Sequence, residues 1–174
     1  MPTNEITPSR HTRLPMRWAP VQMAALTAGV LFSLIGVLGF IPGITTFYDH
    51  LDLAGHHSGA LLLGIFNVSV LHNIVHLGFG VAGIASARHF RSSRTYLVAG
   101  GFAYLMLWVF GSFVDRDSTM NFVPTNQADD WLHLGLGVGM IVFGLALSGR
   151  RSNTVAVGQV SPMGGEVSSP DVAP

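Results

Sequence analysis

Four apolar stretches, at residues 21–41, 60–85, 96–114 and 131–147, dominate the chain and leave few solutions for its fold. Each is about long enough to cross a hydrocarbon core of roughly 30 Å, which takes about 20 helical residues. In that solvent the backbone must satisfy its own hydrogen bonds, so a spanning segment is either an α-helix or a strand of a closed barrel. Ten-residue alternation of apolar and polar side chains is missing, which speaks against the barrel. The expected architecture is an all-α membrane protein of four transmembrane helices over residues 20–149, flanked by tails at 1–19 and 150–174. With 49% hydrophobic and 10% charged residues, the composition fits a bilayer better than water. The later tail is rich in Ser, Gly, Pro and Val without periodicity and reads as disordered. The first apolar run is longer than a signal-peptide core and lacks a small-residue cleavage site, so it reads as a retained span.

Charge sets the orientation. Arg10, Arg13 and Arg17 precede the first span, Arg88, Arg91 and Arg94 follow the second, and Arg150 and Arg151 follow the fourth, leaving only Arg116 in the other two loops. Under the positive-inside rule both termini and the second loop are cytoplasmic. Asp49, Asp52, Asp115, Asp117, Asp129 and Asp130 gather at the opposite face. The basic groups are topology signals, with no face suited to nucleic acid.

A short string recurs. "HLGFGVAGI" from His76 and "HLGLGVGMI" from His133 are identical at six of nine positions. Each follows an apolar helix and an outward loop, so the chain reads as two repeated helical hairpins related by an axis along the membrane normal. Ser69, Asn73, His76, Gly80 and Gly83 form one stripe at helical spacing, with His72 beside it, and Asp130, His133, Gly137, Met140 and Gly144 form another. The simplest packing sets these stripes face to face in a four-helix bundle. His133 then lies near the outer surface, beside Trp131. His72 and His76, about a dozen residues from Ala60 and from Arg88, fall near the midplane instead; either the second helix is tilted with its first turns interfacial, or the histidines occupy different levels.

The strings "LHNIVHLGFGVAG" and "PTNQADDWLHLGLGV", with "GFIPG" closing the first span and "RTYLVAGGFAYL" opening the third, resemble a family of small four-helix bacterial membrane proteins known only as a domain of unknown function. The resemblance spans residues 21–149 and implies a multi-pass place in the bacterial inner membrane. It implies no activity. The matching polar positions are Asn67, His72, Asn73, His76, Asn126, Asp129, Asp130 and His133.

Those residues allow two chemistries. His72 and His76 at i and i+4 share a helical face, and with His133 they are candidate ligands for a transition metal. Paired across helices, with Gly80 and Gly137 leaving space, two histidines suit haem. The plainer alternative makes them members of an interhelical hydrogen-bond network with Asn73 and Asn126 as glue. Asn126 or Thr125 reads as a helix cap, Asp129 as a partner of the helix dipole, and Asp130 as an acceptor for the His133 ring. Asn73 stands where a zincin has glutamate, and the chain has no cysteine, nucleophile elbow or phosphate loop. No catalytic residue is assigned. The function expected from sequence is an accessory or scaffold membrane protein associating with a larger complex or with itself. The alternative is a histidine site for a metal, haem or proton in redox or transport.

Overall fold

Pro20 starts the first helix, α1 (Pro20–Leu38), because at the first helical position its missing N–H has no intrahelical partner to lose. Gln22 strengthens that start, its side-chain oxygen accepting from the Ala19 N–H at 2.9 Å. This computed structural model describes residues 18–55, 57–116, 118 and 120–148. Apart from Trp18 and Ala19, the tails expected at 1–19 and 150–174 lie outside the described residues, as does His56.

Beyond α1 the chain forms an unexpected polar-backboned cap. Thr45 Oγ1 donates to the Leu38 and Gly39 carbonyls, both at 3.2 Å, and so satisfies acceptors left over at the helix end. Three short strands follow, β1 (Thr45–Thr46), β2 (Leu61–Leu62) and β3 (Phe66–Asn67), paired antiparallel in that order. Thr45 lies opposite Leu62, and Leu62 opposite Phe66. A single 3-10 turn, Tyr48–His50, interrupts the excursion between β1 and β2. Ala60, Leu62 and Val68 form a small core of their own, packed against Ile35 and Leu38 at the end of α1.

The second helix therefore begins ten residues later than its apolar run suggests. Helix α2 is Val70–Ser86. Its start is set by hydrogen bonding, because each exposed N–H of the first turn has a partner. Val70 and Leu71 donate to the carbonyls of Asp52 and Leu53 at 3.0 and 2.9 Å, and His72 donates its backbone N–H to Ser69 Oγ at 3.1 Å. Helix α3 (Phe90–Phe113) begins six residues before the hydropathy boundary, taking Arg91 and Arg94 into its first turns. Helix α4 is Gln127–Ala146. Helices α1, α3 and α4 are long and apolar enough to cross a membrane, and α2 is an apolar helix of 17 residues.

The glycine stripes pack within hairpins, contrary to the face-to-face arrangement expected for α2 and α4. Helix α1 runs antiparallel along α2, and α3 along α4, while the α2 and α4 backbones stand apart. A Cβ added at Gly29 would come within 2.6 Å of the Ile84 nitrogen, and one at Gly101 within 2.7 Å of the Gly137 carbonyl. These are backbone-to-backbone approaches that only glycine permits. Larger residues close the centre: Phe32, Tyr96, Leu97, Tyr104 and Met140 are buried together. Tyr96 is thus a core residue, donating its hydroxyl to the Phe79 carbonyl at 3.1 Å.

Candidate functional site

Because α2 starts at Val70, His72 occupies its first turn and His76 its second, level with His133 in the second turn of α4. All three are buried. The ring centroids of His72 and His76 are 4.5 Å apart, and those of His72 and His133 are 6.3 Å apart. Across the gap between α2 and α4 the hairpins meet through imidazoles.

Aromatic rings from the remaining helices complete this layer. His76 stacks on Phe32 of α1 at 5.9 Å, Phe32 stacks on Tyr104 of α3 at 5.2 Å, and Tyr104 lies 5.5 Å from His133. Phe79 meets both Phe32 and Tyr104 edge-on, in the offset or T-shaped arrangements that ring quadrupoles favour. Reading the sequence for polar groups missed Phe32, Phe79 and Tyr104. Their signal was spacing, since Phe32 follows Gly29 by three residues and Tyr104 follows Gly100 by four.

The Nδ1 atoms of His72, His76 and His133 are buried and have no hydrogen-bond partner among the described residues. Two small, partly open cavities flank the imidazoles. One, of about 140 Å³, lies toward Leu107, Phe122 and Val123, and the other, of about 190 Å³, toward Ile35, Phe66 and Leu136. All three histidines line both.

The other sequence candidates do different work. Asn126 caps α4, its Oδ1 accepting from the Ala128 and Asp129 N–H groups at 2.8 and 3.0 Å, and its Nδ2 donates to the Ile65 carbonyl at 2.7 Å. Asp129 Oδ2 accepts from the Asn126 and Asn67 backbone N–H groups at 2.9 and 3.0 Å. Together they bolt the strand cap onto α4. Asp130 does not orient His133: its Oδ2 pairs with Arg116 at 3.2 Å, and its Oδ1 is buried without a partner beside Gly111. Asn73 is not glue either. Its fully buried amide has no hydrogen-bond partner and presses against Gly39, where any Cβ would collide with it.

The family described as Domain of unknown function (DUF4383) matches residues 22–146. The chain belongs to this family. No curated protein and no solved structure matches it. The matched region of this DUF4383 member contains every residue of the site and the whole strand cap.

Cofactor readings can now be tested against that geometry. Haem does not fit. The space expected at Gly80 is filled by Ser33 and Gly29, and that at Gly137 by Leu105 and Gly101. Neither cavity beside the histidines reaches the roughly 300 Å³ where small-molecule sites usually begin. Among the described residues, no group of three or more His, Asp or Glu side chains is placed to hold a metal ion. As the rings stand, His72, His76 and His133 are not a preassembled ligand set. What this DUF4383 site offers is three unpartnered nitrogens at the edge of small, largely apolar spaces.

Proposed function

We propose that this chain is a multi-pass protein of the bacterial inner membrane whose two related hairpins enclose a histidine-lined binding site near the outer face, and that binding there serves redox or transport. In this reading α2 is the fourth span, and both termini and the 87–89 turn are cytoplasmic. One observation carries the proposal: three buried imidazoles, drawn from both hairpins, each have an unpartnered Nδ1 beside a cavity. A purely structural network would pair those atoms, because an unsatisfied buried polar group costs about 1–3 kcal/mol. Buried ionisable groups in membranes are by default functional.

The test is direct. Detergent-purified protein is examined by native mass spectrometry, metal analysis and an absorption spectrum, beside His76→Leu and His133→Leu. The expected result is a stoichiometric bound species or ion that both variants lose while remaining folded. Equal content in all three proteins would overturn the reading.

An accessory or scaffold role, in a larger complex or between copies, is a second reading. It is favoured by Phe47 and Leu63, which hold left-handed backbone (φ 51° and 54°) yet present exposed apolar side chains on the strand cap. Such strained placement of bulky residues is characteristic of functional surfaces.

A further inference from the structure

The larger of the two histidine cavities adjoins a second, longer space. Ile35, Leu132 and Leu136, which form part of its wall, also line the outer end of a groove of about 560 Å³ between α1 and α4. The groove continues to Pro20 and Leu147 at the other end of the same helices, some 15 residues of α1 or roughly 22 Å at 1.5 Å per residue. Its only polar side chain is Thr27. Its floor includes Gly135 and Gly139, and a Cβ built at either meets nothing within 4 Å. Unlike Gly29 and Gly101, these glycines are not needed for any helix contact; what they provide is open space on a face turned to the lipid.

Positions for a polar head and an apolar tail thus lie side by side, divided by Ile35, Leu132 and Leu136. We infer, building on the binding reading above, that the site takes a lipid of the quinone or quinol class, its ring among the histidines and its tail in the α1/α4 groove. The head must be small: a cavity of about 150 Å³ holds an unsubstituted benzene ring, and this one measures about 190 Å³. It must be uncharged. No Arg lines the cavity, and its one carboxylate, Asp129, is held by two backbone N–H groups. An anionic phosphate or carboxylate would have no cation to meet. A neutral ring bearing oxygens matches the rest: unpartnered imidazole nitrogens offer hydrogen bonds, and Phe66 and the histidines offer ring faces.

The experiment uses the full chain in phosphatidylcholine nanodiscs, with decylubiquinone as the tailed probe, duroquinone as the tailless ring and oleate as an anionic competitor. Binding is read by tryptophan quenching and checked by extraction and mass spectrometry. Wild type should bind decylubiquinone saturably and at least about tenfold more tightly than duroquinone. Gly139→Leu, which fills the groove and favours the helix, should abolish the advantage of the tail. His76→Leu should weaken both probes, with thermal unfolding showing that each variant is folded. If decylubiquinone fails to saturate, if Gly139→Leu leaves the tail advantage intact, or if oleate displaces the probe as well as unlabelled quinone does, the inference is wrong. Retention of some other species that depends on His76 and His133 would then leave the binding reading standing. Loss of histidine dependence altogether would remove both.

Discussion

A single methyl group separates two kinds of glycine in this chain. At Gly29 the neighbouring backbone is so close that Gly29→Val must force α1 from α2, and overpacking of this sort costs at least about 1–3 kcal/mol. At Gly139 there is nothing to strike. Thermal unfolding in detergent should therefore drop clearly for Gly29→Val and hold or rise for Gly139→Leu; equal losses would show that the groove is not open. The histidines give a less intuitive expectation. Because His76 Nδ1 has no partner, His76→Leu removes a buried polar group without orphaning another, and such exchanges are near neutral or stabilising. A melting temperature at or above wild type is expected. A loss of several kcal/mol would mean that His76 has a hydrogen bond in the folded protein and belongs to a structural network.

At the scale of elements, the junction between the strand cap and α4 places three hydrogen bonds on one side chain. Asn126 satisfies two N–H groups of the first turn of α4 and reaches the Ile65 carbonyl. Asn126→Ala should cost about 1–2 kcal/mol and loosen residues 61–67, seen as faster hydrogen exchange there; unchanged exchange would show that the cap stands without it. That Thr125 or Asn126 caps α4, with Asp129 at its positive end, was legible from "TNQADD" because capping is local. The start of α2 was not. Residues 60–69 are as apolar as a helix in lipid, and what turns them into strands is pairing of Leu61 with Thr46 and of Leu62 with Thr45, fifteen and seventeen residues away. That relocation also brings His72 and His76 to the level of His133, which no reading of the α2 stripe alone could do.

Across the whole molecule, helical count and polar stripes followed from hydropathy and a period of 3.6, whereas the partner of each stripe did not. A stripe of glycine says that something packs closely, and Gly80 or Gly137 fits an antiparallel neighbour in its own hairpin as well as one across the centre. Haem was lost on that same point. Membrane orientation is testable with unusual cleanliness because the chain has no cysteine. In whole cells, Ser118→Cys should react with an impermeant maleimide, whereas Arg88→Cys should react only after the membrane is opened. The reverse pattern would sink the arginine argument. Arg116, the lone base on the acidic side, is held against Asp130, which removes much of its weight as an opposing signal.

The shortness of α2 carries a consequence for the bilayer itself. Its 17 residues rise about 25 Å at 1.5 Å each, several ångströms less than a typical hydrocarbon core of roughly 30 Å, whereas the 24 residues of α3 exceed it. Taken as the fourth span, α2 leaves the strand cap dipping below the plane at which α3 ends. The cap tolerates that depth because its strands pair with one another and with α4, so few peptide groups face the acyl chains unbonded. The surrounding lipid must then thin on one flank and thicken or tilt α3 on the other. A protein with such lopsided mismatch is drawn toward regions of graded thickness, where its position in the membrane becomes a property of its own fold.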